Sequence, residues 1–174
     1  MKEQAKIFKV LKWIFTIGMI LLGMALVAFI AMEIVLRIPS VANMVEVTTK
    51  ANLSISAAEA VKIFITPFFI LGFLVNLLVF AGVFFYGRKF FSNLDDGKIF
   101  VEENISSAKK ISILFVILTF TSELPNLLII DFQPKTELDL SMNFTYLLVA
   151  LIIWALAKIL EEAKAIADEN QFTI

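Results

Sequence analysis

The chain has 174 residues with a net charge of −1, and 60% of the residues are hydrophobic, whereas soluble domains are roughly half apolar. It contains neither cysteine nor histidine, which excludes a disulfide framework, thiolate chemistry, and the usual metal ligand and neutral-pH base. The near-zero net charge gives no global field that would attract nucleic acid. The apolar residues are gathered in long blocks, a pattern that indicates membrane-spanning helices.

Four such blocks follow one another along the chain. A bilayer core of about 30 Å takes roughly 20 apolar helical residues to cross. The blocks at about residues 13–36, 63–86, 111–130 and 144–160 reach or approach that length. The sequence therefore predicts an all-α fold, an integral membrane four-helix bundle with antiparallel, up-down order. The whole chain, 1–174, is expected to form a single membrane domain.

The basic residues predict the orientation of this bundle. Four of the 15 Lys and Arg residues, namely Arg37, Lys50, Lys62 and Lys135, lie in the two loops on one side. The others lie in the N-terminal segment, the C-terminal segment and a central polar stretch at 88–110, here called the hinge. Because cytoplasmic loops are enriched in Lys and Arg, both termini and the hinge are predicted to be cytoplasmic in a multi-pass protein of the cell membrane.

The hinge carries turn chemistry between the second and third blocks. Asp95-Asp96-Gly97 joins carboxylates, which bond nearby amides, to a residue that tolerates positive φ. The third helix is expected to begin near Val101. Glu102 and Glu103 then fall in its first turn, where acidic side chains interact favourably with the helix dipole.

Motifs in the hinge and at the end of the chain carry a family resemblance. They are Leu94-Asp95-Asp96-Gly97-Lys98-Ile99-Phe100, then Glu103-Asn104, and finally Glu169-Asn170-Gln171-Phe172-Thr173-Ile174. With them, the chain resembles a bacterial domain-of-unknown-function family of small four-helix membrane proteins (DUF2975-like). The resemblance covers most of the chain and implies the same topology. It also implies a regulatory partner, because genes for proteins of this kind sit beside a gene for a small helix-turn-helix regulator. It implies no biochemical activity.

Polar residues inside or near the spans form a second candidate site. Ionisable groups at membrane depth are costly and point to function by default. The candidate intramembrane polar cluster consists of Glu33, Arg37, Lys62, Asn76, Glu123 and Asn126. One interpretation is a polar cavity or proton-linked site. The other is contact between helices, in which these side chains satisfy one another and fix helix register, with Glu33 and Arg37 paired one turn apart.

The hinge is predicted to be the surface that binds a partner. The candidate residues are Leu94, Asp95, Asp96, Gly97, Phe100 and Asn104. No triad, phosphate-loop or metal-ligand spacing is found in the sequence. Enzyme activity, a cofactor and a metal site are therefore not expected.

The favoured function is that of a non-enzymatic sensor or antagonist, embedded in the lipid bilayer, that binds a cytoplasmic regulator such as a helix-turn-helix protein. The regulator, and not this chain, would contact DNA. Two alternatives stay open. One is an immunity or envelope-stress protein directed against membrane-active peptides. The other is a small transporter or channel subunit, which with four spans would require a homo-oligomer.

Overall fold

The computed structural model describes residues 2–38, 47–48, 54–55, 67–124 and 143–171. Its helices are α1 (Lys2–Leu36), α2 (Pro67–Asp95), α3 (Glu102–Thr121) and α4 (Phe144–Gln171). Two short strands, β1 (Val47–Thr48) and β2 (Ser54–Ile55), pair antiparallel between α1 and α2. The predicted all-α, four-helix fold is confirmed, with this small strand pair as an addition.

Each of the four helices is long and apolar enough to cross a membrane. The 29 residues of α2 extend about 43 Å at the helical rise of 1.5 Å per residue. Since the hydrocarbon core is about 30 Å thick, α2 extends beyond it, and so do α1 with 35 residues and α4 with 28. The predicted spans ended at 86 and 160, whereas α2 continues to Asp95 and α4 to Gln171.

Helices α1 and α2 lie antiparallel. Near the start of α1, Lys12 lies 3.4 Å from the carboxylate of Asp95 at the end of α2. Further along, Phe29 stacks on Phe73 with ring centroids 4.1 Å apart. Residue numbers therefore rise along α1 as they fall along α2, as the up-down order requires.

Two phenylalanines fix the close approach of α1 and α2. The ring of Phe15 lies against Gly87, where an added Cβ would sit 2.2 Å from the ring. The ring of Phe84 lies against Gly18 in the same way, again 2.2 Å from an added Cβ. Each helix thus inserts a ring over a glycine of the other, and small residues allow such close packing in membranes.

Polar contacts join α3 to its neighbours on both sides. The side-chain amide of Asn76 in α2 donates to the backbone carbonyl of Thr121 at 2.7 Å. The hydroxyl of Ser112 donates to the carbonyl of Ala150 in α4 at 2.9 Å within a buried interface. Leu118 is fully buried between the helices. These contacts give α2, α3 and α4 the remaining antiparallel pairings.

The third helix ends earlier than the predicted span of 111–130. It ends at Thr121, and the backbone N–H of Ser122 donates to the carbonyl of Leu118. A proline at 125 has no N–H to donate to the carbonyl four residues earlier, at Thr121, and its ring would crowd that carbonyl in a continued helix. This accounts for a helix that stops ahead of it. Residues 125–130 lie outside the described part of the chain.

A cleft of about 510 Å³ opens among the four helices. Its wall is apolar throughout: α1 contributes Phe15, α2 contributes residues from Phe80 to Phe91, and α3 and α4 complete it. The extensive packing runs from α1 to α2, from α2 to α3 and from α3 to α4. The cleft therefore lies between the first and last members of a series of neighbouring helices.

Candidate functional site

A glycine within the hinge ends helix α2. Gly97 has φ of 76°, a conformation that side chains with a Cβ rarely adopt. Its N–H donates to the carbonyl of Leu94 at 3.1 Å, and the N–H of Lys98 donates to the carbonyl of Asn93 at 2.8 Å. These two bonds form a Schellman motif, which satisfies carbonyls left over at a helix end. The predicted Asp-Asp-Gly turn is thus present in the structure.

Helix α3 starts at the predicted place. Val101 is its N-cap, with extended backbone at φ −107° and ψ 149°, and no side-chain oxygen caps the helix. Glu102 and Glu103 occupy the first turn. Their negative charge complements the free N–H groups and the dipole of the helix start.

Asn104 ties the turn between the two helices together. Its side-chain amide donates to the backbone carbonyls of Lys98 at 2.7 Å and Ile99 at 2.9 Å. Its side-chain oxygen accepts a hydrogen bond from the amide of Asn93 at 2.9 Å. Asn104 is wholly buried. A residue in the first turn of α3 therefore holds both the turn backbone and the last turn of α2.

The chemistry of this position favours asparagine. The side chain must donate two hydrogen bonds and accept one, and a primary amide supplies two N–H donors and a carbonyl acceptor. An aspartate would have no donor when ionised and would face two carbonyl oxygens. A serine would have one donor and a shorter reach. The burial of Asn104 adds a penalty for any unsatisfied group.

The turn displays two large apolar side chains on its surface. Ile99 is 41% exposed and Phe100 is 46% exposed. They follow Lys98 in the chain and lie just before Val101, the N-cap of α3. Asp96, Gly97 and Lys98 beside them are exposed as well. The hinge turn, defined here as residues 96–101, is thus a polar turn with an apolar tip.

In the described part of the chain, ion pairs cluster at the hinge end of the bundle. One joins α1 to α2, two join α3 to α4, and one lies within α4. They are Lys12–Asp95, Lys109–Glu161, Lys164–Glu102 and Lys158–Glu161, with N···O distances of 3.0–3.4 Å. Because such partly exposed pairs each contribute about 0–1 kcal/mol, they chiefly fix the register of the helix ends that carry the hinge turn.

The structure distributes the six predicted hinge residues over different environments. Asp96, Gly97 and Phe100 are exposed, and Leu94 is half-buried. Asp95 is engaged by Lys12, and Asn104 is buried, so its role lies inside the turn and not at the surface. The sequence reasoning left out Ile99, although an Ile-Phe pair after a polar turn is a visible signal.

The predicted intramembrane cluster is only partly within the described chain. Lys62 and Asn126 lie outside the described residues. Glu33 is buried with 8% exposure, and within the described ranges neither of its carboxylate oxygens has a hydrogen-bond partner. Arg37, one turn later, is exposed. The spacing of Glu33 and Arg37 permits an ion pair, but the two side chains do not form one in the structure.

Of the other two members, Asn76 lies at a different helix interface. Asn76 bonds α2 to α3 through the Thr121 carbonyl, which is the role of a contact between helices. Glu123 lies half-buried just after α3, and it has an interaction partner. Glu33, by contrast, lines a groove formed by α1 and α2. The structure thus assigns Glu33 and Asn76 to separate places along the bundle.

Four helices long and apolar enough to cross a membrane, packed in antiparallel order with the ion pairs of the described residues at one end, are the features of a multi-pass helical membrane protein. The chain belongs to the family described as protein of unknown function (DUF2975), whose model matches residues 36–174. The match starts at the last residue of α1 and includes the hinge and helices α2, α3 and α4. The resemblance inferred from the hinge and C-terminal motifs is thereby confirmed. Among curated proteins and solved structures, no match to the chain was found.

Proposed function

We propose that this chain is a membrane-embedded sensor or antagonist that binds a cytoplasmic regulator through the hinge turn. The observation that carries the proposal is the Asn104 network, which holds Ile99 and Phe100 at the surface of a fixed turn. In this proposal the hinge and both termini face the cytoplasm, the side favoured by the distribution of Lys and Arg.

The hinge turn stands clear of the membrane in this arrangement. Arg88 and Lys89 mark the membrane border on α2, and the helix continues from there to Asp95. Six further residues extend about 9 Å at the helical rise. Ile99 and Phe100 are therefore presented beyond the border, where a protein of the cytoplasm can reach them.

A fixed turn with an apolar tip suits protein binding for two reasons. Covering the exposed parts of Ile99 and Phe100 removes apolar surface from water, which is favourable at about 25 cal/mol per Å². The backbone is already ordered by Asn104, so binding loses little conformational entropy. Phenylalanine is also enriched in the cores of protein interfaces.

The partner that fits this proposal is a small regulator of the helix-turn-helix class, which the family resemblance implies. The chain itself is a poor ligand for DNA, because its net charge is −1. Several lysines at the hinge end are paired with Asp95, Glu102 and Glu161. In this proposal, membrane tethering keeps the regulator away from DNA.

The proposed role is non-enzymatic. The part of the hinge on which the proposal rests consists of the amide side chains of Asn93 and Asn104, two backbone carbonyls and the apolar pair Ile99 and Phe100. Amides and carbonyls hold geometry through hydrogen bonds, but they do not supply a general acid, a general base or a nucleophile at neutral pH. Recognition, and not turnover, is what such a surface offers.

Affinity purification in mild detergent tests the proposal. The wild-type chain, an Ile99→Ser/Phe100→Ser double variant and an Ile7→Ser control are tagged and expressed at equal levels. Ile7 is 57% exposed on α1, so the control removes apolar surface elsewhere. We expect wild type and control to recover the same cytoplasmic DNA-binding protein. The double variant should recover about tenfold less of it, the equivalent of 1.4 kcal/mol in binding free energy. Equal recovery by the double variant, or no partner with wild type under several growth conditions, would contradict the proposal.

A further inference from the structure

A groove between α1 and α2 lies at the end of the bundle opposite the hinge. It has a volume of about 380 Å³. Arg37 lies at one end of it, just past the last residue of α1, and Glu33 follows one turn deeper. Phe29 and Leu74 line the part that runs further into the bundle. The groove therefore has a charged end near the membrane border and an apolar end toward the bilayer centre.

Glu33 is the unexplained group in this groove. Over nine-tenths of the residue is buried, and neither carboxylate oxygen has a hydrogen-bond partner among the residues described. Arg37 is close enough in sequence to pair with it, yet the two are not bonded. A buried acidic group without a partner is costly in apolar surroundings. Among the residues that the structure describes, Glu33 thus has no cationic donor and exposed Arg37 has no anion.

We propose that this groove binds a phospholipid whose headgroup carries both a phosphate and a primary ammonium. The phosphate binds Arg37, whose guanidinium suits a phosphate oxygen pair. The ammonium binds Glu33, after the Glu33 side chain rotates from the groove wall into the groove. One acyl chain follows Phe29 and Leu74. A single zwitterionic molecule thereby supplies the anion, the cation and the apolar body that the groove lacks.

The charge pattern selects against other common lipids. A headgroup with a phosphate alone satisfies Arg37 but leaves the Glu33 carboxylate without a donor and adds a like charge nearby. A quaternary ammonium headgroup carries the positive charge but has no N–H to donate. The groove should therefore rank phospholipids with equal acyl chains in the order ethanolamine, then choline, then glycerol headgroup.

This site is separate from the proposed hinge function. It lies at the other end of α1 and α2 and involves none of the hinge residues. The binding of a regulator at Phe100 and the binding of lipid at Glu33 can each fail without the other.

Competitive lipid retention tests the proposal. The purified full-length chain is exchanged into an equimolar mixture of phosphatidylethanolamine, phosphatidylcholine and phosphatidylglycerol with identical acyl chains, and retained lipid is counted by native mass spectrometry. We expect wild type to retain the ethanolamine lipid at least fivefold over the choline lipid. Stepwise N-methylation of the headgroup should reduce retention progressively.

Two variants and a control complete the test. Glu33→Gln should remove the preference for the ethanolamine lipid, and Arg37→Gln should reduce retention of all three lipids. Glu103→Gln, an exposed carboxylate in the hinge, should behave as wild type. Equal retention of the three lipids by the wild-type chain would by itself overturn the proposal. An unchanged preference in folded Glu33→Gln would overturn it as well.

Discussion

Asn93 at the end of α2 donates a hydrogen bond to Asn104 at the start of α3, with 2.9 Å between Nδ2 and Oδ1. The two residues stand on either side of the hinge turn. Through this bond, the side chain that holds the carbonyls of Lys98 and Ile99 is itself held by the preceding helix. The conformation that displays Phe100 therefore depends on both helices.

Substitution of Asn104 should loosen the hinge turn. Asn104→Ala removes three hydrogen bonds at a buried position and should lower the free energy of unfolding by about 1–3 kcal/mol. Asn104→Asp should have at least as large an effect, because an ionised carboxylate would face two carbonyl oxygens. Thermal unfolding in detergent measures the loss, and hydrogen exchange over residues 96–104 locates it. Glu103→Gln in the same helical turn is the control, and equal exchange in all variants would contradict the assigned role.

The left-handed backbone of Gly97 gives a second prediction. Gly97→Ala should lower the free energy of unfolding by about 1–2 kcal/mol, because φ is 76° and a left-handed residue with a Cβ is strained. Crowding adds nothing, since none of the described residues has a heavy atom within 4 Å of an added Cβ. Gly97→Asn should be milder, because asparagine tolerates this conformation. If alanine and asparagine proved equally mild, the turn geometry would be wrong.

Much of the fold follows from local signals in the sequence. The number and order of helices follow from apolar blocks long enough to cross a bilayer. The break between α2 and α3 follows from Asp95-Asp96-Gly97, because the turn chemistry is local. The continuation of α2 and α4 past the predicted spans also follows, because the helical pattern of the sequence persists to about Phe91 in α2 and beyond Leu160 in α4. The observed ends are Asp95 and Gln171.

The site was less predictable, because burial depends on tertiary contacts. Asn104 was expected at a binding surface, and nothing in the local sequence shows that its side chain turns inward onto two carbonyls. Glu33 and Arg37 have the spacing of an ion pair, but the Glu33 carboxylate is buried while Arg37 remains exposed. Spacing along a helix shows which side chains can form an ion pair. Tertiary packing determines whether they form it.

The packing of Phe15 on Gly87 gives a third prediction. Gly87→Ala would place a Cβ 2.2 Å from the Phe15 ring and should lower the free energy of unfolding by about 1–3 kcal/mol through overpacking. A second change, Phe15→Leu, should recover part of that loss by making room. Gly23→Ala is the control, because no described residue approaches an added Cβ there within 4 Å. Thermal unfolding of all four chains gives the comparison. A loss in Gly23→Ala equal to that in Gly87→Ala would contradict this packing.

The orientation of the bundle is open to direct labelling, since the chain has no cysteine of its own. Single cysteines are introduced at Lys98 in the hinge turn and at Ile38 after α1, both of which are exposed. A membrane-impermeant maleimide added to intact cells should label Ile38→Cys and spare Lys98→Cys until the membrane is opened. The reverse pattern would place the hinge outside the cell and remove the basis for a cytoplasmic partner.

Crosslinking in living cells tests whether the hinge turn binds a cytoplasmic regulator. A photo-reactive phenylalanine analogue replaces Phe100, and in a control chain it replaces Leu78, which is 71% exposed on the membrane-spanning part of α2. We predict that irradiation joins a cytoplasmic DNA-binding protein to position 100 and not to position 78, and that Asn104→Ala weakens the product. The absence of any such product at position 100, or equal products at both positions, would contradict the account.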